Sequence, residues 1–334
     1  MSVSLATKLH WFDRGARAFA ATLKLDAPAT DAPRYVCPLC IKEAADGRLT
    51  MTMFRRVAVE VKALTAEHVP PEGFAGRELV LTCGPCNHTA GARLDAEARK
   101  REMPGEVLTG RAHRPAAVRL TAGGHTIPAL MSSEGRTFTL KMPKHFKRPL
   151  VTDGFLAAIH HDNEGNRDIH VNFSGDAFRE RHANLSFLRA AYLALFAVAG
   201  YRYIFRPELA IVRRQIAEPD IEHIPTFMIT LPHDPPWTER RLVRVKAPED
   251  LQCWAVMIGR YAVFLPLPGD PGFYARLDEA RRARAQAAKR STQIPGALDL
   301  TATGDSFEFP TRPTFGVPDE GRDSRHDEAN RPPD

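Results

Sequence analysis

Cys37-Pro38-Leu39-Cys40, Glu67-His68-Val69-Pro70-Pro71 and Cys83-Gly84-Pro85-Cys86-Asn87 are the three short stretches that decide how this chain is read. The outer two are Cys-x-x-Cys pairs, the spacing with which a four-thiolate zinc site draws two ligands from each tight turn. Pro38, Gly84 and Pro85 lie inside those turns and favour the bend. Tetrahedral Zn²⁺ takes cysteine sulfurs at about 2.3 Å, so Cys37, Cys40, Cys83 and Cys86 are the expected structural zinc ligands. Buried free thiols and disulfides are the competing readings. Residues 1–8 are basic but lead into no apolar run of the signal-peptide kind, so a cytoplasmic setting is expected. In a reducing compartment the paired spacing favours metal. Cys253, next to Trp254, reads as a small core residue of a strand. Glu67, His68 and Asn87 are a second set, offering carboxylate, imidazole and amide chemistry.

The flanking sequence supplies a local fold. Residues 61–68 and 79–82 are short and rich in aliphatic and β-branched side chains, separated by Pro70-Pro71 and the 73–76 glycines. They predict two strands joined by a loop. From Asn87 to Met103 the chain turns to Ala, Arg, Leu, Glu and Lys, which favour helix, and Pro104-Gly105 is the expected stop.

In order, four cysteines, Glu-His and Cys-Asn resemble the HNH nucleases of the ββα-metal family, over about residues 35–103. The matching motifs are Glu67-His68-Val69-Pro70-Pro71, Leu81-Thr82-Cys83-Gly84-Pro85-Cys86-Asn87 and Ala90-Gly91-Ala92-Arg93-Leu94-Asp95. The resemblance implies a β-ribbon and a helix gripping one divalent cation and hydrolysing nucleic-acid phosphodiesters. It implies His68 as general base, since an imidazole with a pKa of about 6.5 accepts a proton at neutral pH. It implies Glu67 and Asn87 as holders of the catalytic cation, Mg²⁺ or Mn²⁺, because oxygen donors suit hard ions. Neighbouring strand residues face opposite ways, so Glu67 and His68 take different roles. Gly91 stands where some members place a further histidine. Glu78 stands where many place an asparagine that braces the histidine loop. His88 is the second choice for the ligand at Asn87. The rival expectation is a zinc-stabilised nucleic-acid-binding module that has kept this scaffold without its chemistry.

The rest of the 334 residues predicts an α+β protein with a mostly antiparallel sheet. Its expected parts are a helical segment 1–34, the zinc module 35–104, an α+β domain 105–275, a basic helix 276–290 and a disordered tail 291–334. Expected strands are 117–120, 126–131 (an edge strand, because of Pro128), 136–141, 169–173, 226–231, 241–245, 254–258 and 261–265, the last two meeting at Gly259-Arg260. Leu185, Leu188, Tyr192, Leu195, Phe196 and Ala199 recur at helical spacing and predict a buried core helix. The apolar segment 190–200 is too short for a bilayer, which needs roughly 20 residues. His160, His161, Asp162 and His170 read as a solvated hairpin rather than a metal cluster.

A net charge of +6 and a pI near 9.2 favour polyanions, and nucleic acid, DNA foremost, is the expected partner. The expected phosphate contacts are Arg93, Arg99 and Lys100 on the module's helix and Lys144 and Lys147 beyond it, with a further basic group at 276–290.

Overall fold

The computed structural model describes residues 3–23, 33–44, 46–112, 115–134, 137–144, 146, 148–160, 168–173, 177–231, 236–290 and 301–316. Its contacts divide the chain into two units, residues 1–94 with 184–334, and residues 95–183. The protein is α+β, as expected, but the expected domain boundaries are not the ones observed. The four-cysteine segment shares its unit with the C-terminal half of the chain, and the segment between them forms the other unit.

Helix α1 (Leu5–Thr22) starts where the Ser4 side chain accepts the Thr7 N–H, and it buries Trp11, Phe12, Ala16 and Phe19. β1 (Arg34–Val36) pairs antiparallel with β4 (Met53–Arg55), and the short hairpin β2 (Lys42–Glu43) and β3 (Leu49–Thr50) lies between them in sequence. α2 (Ala58–Ala63) feeds β5 (Leu64–Val69), which pairs antiparallel with β6 (Arg77–Cys83). The loop joining them returns close to itself: a Cβ on Gly76 would sit 1.5 Å from the Pro70 carbonyl oxygen, so only glycine fits. β6 runs straight into α3 (Gly84–Ala90), giving the expected strand, loop, strand, helix order.

In the other unit, α4 (Ala96–Leu108) continues through Pro104, so the expected stop is wrong. Arg99 reaches across the proline to the buried Glu106 carboxylate at 2.8 Å, and Val107 is buried in the core beyond it. The ion pair within the helix and the core packing of Val107 together outweigh the one hydrogen bond that proline removes. β7 (Ala116–Ala122) and β8 (His125–Glu134) meet at Gly123-Gly124, whose φ angles of 54° and 76° make the two-residue turn that matches strand twist. β9 (Thr137–Lys141) follows, then α5 (Pro149–His160) and β10 (His170–Phe173), with sheet order β10-β7-β8-β9. Two expectations fail here. β8 is central, not an edge. Counting from the turn, Pro128 opposes Arg119 at a non-hydrogen-bonded pair, so its nitrogen faces the β9 side. β9 pairs only with residues 130–134, so no ladder bond is lost. His160 ends a helix rather than a hairpin strand, and His161 and Asp162 lie outside the described residues.

α6 (Glu180–Ala199) is the predicted core helix, but it begins well before the apolar segment. By length and composition it is apolar enough to cross a bilayer, yet 83 % of that window is buried inside the protein. Then come α7 (Tyr201–Ile204), α8 (Ala210–Ala217), β11 (Met228–Thr230), β12 (Arg240–Ala247), β13 (Cys253–Ile258), β14 (Tyr261–Pro266) and α9 (Phe273–Arg290). Gly259-Arg260 makes the expected β13–β14 turn, and Cys253 is the buried core residue it was read to be. β15 (Thr301–Glu308) adds to β12, completing the antiparallel order β11-β14-β13-β12-β15.

The tail is thereby corrected for its described part. Residues 301–308 form a strand, and the backbone of Phe315 donates to the Ala197 carbonyl at 2.8 Å while its ring is buried against Phe196. Residues 291–300 and 317–334 lie outside the described residues. Phe307, Phe309 and Phe315 are thinly spread through a Pro- and Asp-rich stretch, and Phe315 packs its end onto the core helix. Phe315→Ala is expected to lower unfolding free energy by about 3–5 kcal/mol, read from urea denaturation, whereas an undocked tail would show no change.

Candidate metal centre and the buried network beside it

The two knuckles come from different parts of the fold. Cys37 ends β1, and the turn to Cys40 is closed by the Cys40 N–H donating to the Cys37 carbonyl at 3.1 Å. Cys83 ends β6, and Cys86 lies in the first turn of α3. Cys40 Sγ stands 3.4 Å from both Cys83 Sγ and Cys86 Sγ, and all four sulfurs lie within 4.8 Å of one another. That convergence is the one the spacing predicts. Four sulfurs about 2.3 Å from a shared centre would fall within this range, so the cluster has the geometry to hold a metal ion such as zinc. No pair is oxidised.

The four thiols perturb one another strongly, two being pushed down and two, Cys37 and Cys86, pushed up. Cys83 is pushed well below the ordinary thiol range, and Cys40 is lowered to about 7, each foremost by a hydrogen bond with Cys37. Cys37 is pushed upward, foremost by its bond with Cys40. Without an ion the four thiols share protons unevenly; a divalent cation replaces those protons and lets all four ionise. The Cys83 N–H donates to Cys37 Sγ at 3.3 Å, a further stabilisation of thiolate character.

The second set is arranged differently from expectation. Glu67 is 3 % exposed, and its Oε1 accepts from the guanidinium of Arg189, itself 1 % exposed, at 2.8 Å. Its Oε2 accepts from Thr82 Oγ1 at 3.3 Å. Thr65 lies on the same strand face and across from Thr82, and its hydroxyl donates to the Thr82 carbonyl at 3.2 Å while accepting from Asn87 Nδ2 at 3.1 Å. Glu67 and Asn87 therefore belong to one network, Arg189–Glu67–Thr82–Thr65–Asn87. The reading of Glu67 as an open cation ligand is corrected, because its carboxylate already answers a buried guanidinium.

His68 is half-buried, and a bulge that skips Leu79 sets it opposite Glu78 in the ladder. Directly opposed residues share a face at close spacing, so Glu78 occupies the place from which a side chain can brace the imidazole. The Val3 N–H also donates to Glu78 Oε1, at 3.4 Å. His88 is exposed on α3, and the space around Gly91 is open.

The expected phosphate contacts fare unevenly. Arg93 pairs with Asp220 at 2.6 Å, Arg99 with Glu106 at 2.8 Å and Lys100 with Glu97 at 3.0 Å. These cations are engaged by the chain's own carboxylates, which a count of basic residues along a helix does not see. The α9 group behaves likewise: Arg276 holds Asp270, and Arg281 and Arg282 both hold Asp278. Lys144 is exposed, and Lys147 lies outside the described residues.

Sequence reading missed Arg189, Thr82 and Thr65. A signal existed for the first: Arg189 is the lone charge in the apolar run 183–199, and a charge there demands a buried partner.

Two outcomes are expected. Cys83→Ser should remove bound metal, measured as zinc per chain by elemental analysis, and lower the melting temperature; zinc retained at wild-type stoichiometry would contradict four-sulfur ligation. Arg189→Leu should cost about 3–5 kcal/mol of stability by stranding the Glu67 carboxylate, and Glu67→Gln on that background should recover part of it in a denaturation series. No family model matches the chain, and neither does any curated protein or solved structure, so the roles of these residues rest on their own geometry.

Proposed function

We propose that this protein is a metal-dependent HNH-type endonuclease that hydrolyses phosphodiester bonds of nucleic acid, DNA foremost, with His68 as general base. The observation that carries the reading is the ribbon and helix held at one corner by the four cysteines. β5 brings His68 and α3 brings Asn87 to the same small module, and the Thr65 hydroxyl ties Asn87 back to β5. Zinc in the cysteine site is structural: four thiolates fill a tetrahedral ion and leave no open position for water. Glu78, opposite His68, serves as the orienting group for the imidazole. Glu67 acts as a positioning residue, holding Asn87 through Thr82 and Thr65.

Mg²⁺ or Mn²⁺ is the ion proposed for the reaction; the Asn87 side-chain oxygen is the remaining expected ligand for it, and when bound it would supply Lewis-acid polarisation of a phosphate. Glu67 does not fit as its ligand while Arg189 occupies the carboxylate. This pairing favours the second reading, a zinc-stabilised nucleic-acid-binding module without hydrolytic chemistry.

Incubation of supercoiled plasmid with Mg²⁺ or Mn²⁺ separates the two. Nicking by the wild-type chain should fall about 10²–10⁴-fold in His68→Ala, with zinc content and melting temperature unchanged. A wild-type chain that does not cut, or a variant that cuts as fast, gives the binding reading its case.

A further inference from the structure

The end of β5 opens onto a cleft of about 430 Å³, in the same unit as the cysteine site. Val69, Arg77, Arg240, Arg241 and Phe309 line it. Arg77 starts β6 and is exposed, and Arg240 starts β12 and is half-buried. The Arg240 guanidinium donates to the Val69 carbonyl at 3.5 Å and lies 5.4 Å from the Phe309 ring centroid, so an aromatic face and a backbone oxygen fix its place. Burial foremost, then the charge of Arg77, lowers the hold of Arg240 on its proton. Glu239 and Glu308 also line the cleft, but among the described residues neither is within ion-pair distance of the three arginines. This sets the cleft apart from the α4 and α9 cations, which are met by the chain's own carboxylates. Glu308 faces Arg241 across the β12–β15 ladder, whereas Arg77 and Arg240 repel each other and neither forms an ion pair among the described residues, so an anion between those two relieves a cost. Guanidinium forks suit phosphate, which accepts two parallel N–H bonds.

We propose that this cleft binds a backbone phosphate of a nucleic-acid strand, gripped by Arg77 and Arg240 with Arg241 beside them. The identity of the occupant rests on the nuclease reading. Val69 directly follows His68, and Arg77 directly precedes Glu78, the ladder partner of His68. Val69 and Arg77 are themselves ladder partners, so the cleft adjoins the end of β5 on the face opposite His68 and Glu78. The cleft supplies the sequence-independent grip that the paired cations of α4 do not.

Fluorescence anisotropy of a labelled DNA duplex on the full-length chain, in the absence of divalent cation, tests this. Arg77→Gln and Arg240→Gln should each weaken binding about tenfold and reduce the slope of log K against log salt by about one. Arg48→Gln, which removes an exposed cation paired to Asp46, should leave both unchanged. Arg77 is an exposed strand end, so its variant folds whatever becomes of Arg240→Gln, and zinc content and melting temperature report on both. Wild-type affinity and salt slope in Arg77→Gln overturn the proposal. Competition by inorganic phosphate at concentrations that match the DNA affinity overturns the strand assignment in favour of a free-anion site. A chain that never nicks plasmid but binds DNA through Arg77 and Arg240 removes the nuclease reading and leaves the cleft standing.

Discussion

Four sulfurs within 4.8 Å of one another constrain this fold more than any other feature. They tie the end of β1 to the end of β6 and the first turn of α3, elements separated by the whole β2–β5 stretch. Once that corner is fixed, β5 must lie along β6, and the helix must leave the ribbon at the point where Asn87 faces Thr65. The rest of the unit then closes around the corner through tyrosine hydroxyls. Tyr192 reaches the Pro38 carbonyl at 3.1 Å, Tyr35 the Leu81 carbonyl at 2.7 Å and Tyr201 the Val36 carbonyl at 2.5 Å. Each satisfies a backbone group that burial would otherwise leave costly.

The buried pair Glu67–Arg189 is the second constraint, and it has a different energetic character. Two desolvated charges contribute little net stability, but either one alone would be strongly destabilising. Such a pair specifies geometry: α6 can dock in only one rotation, because Arg189 must meet Glu67. The carboxylate in turn orders Thr82, Thr65 and Asn87. The two neighbours thus lie in different surroundings, Glu67 turned into the core and His68 half-buried on the other face of the ladder.

Much of this was written in the local sequence. The Cys-x-x-Cys spacing, with proline and glycine in the turns, specified the metal corner, because ligand geometry depends on a few neighbouring residues. Alternating aliphatic stretches marked β5, β6, β13 and β14, and the helical stripe at Leu185, Leu188 and Tyr192 marked the core helix. Where local rules failed, a distant partner had changed the outcome. Val107, packed into the core with β7 and β8 residues, carried α4 past Pro104. The short reach of β9 let Pro128 sit inside a sheet. Phe315 found a site beside Phe196 and drew part of an apparently unstructured tail into the fold.

By itself, then, the sequence determined the four-thiolate corner, the α+β class and the strand, loop, strand, helix order around His68 and Asn87, since these follow from spacing and periodicity. Tertiary structure alone decided that Glu67 faces Arg189 rather than open space, that Arg93 is met by Asp220, and that Arg77 and Arg240 share a cleft. The physical reason is common to all three. The energy of a charge depends on what lies within a few ångströms of it, and for Glu67 and Arg240 those neighbours are more than a hundred residues away along the chain.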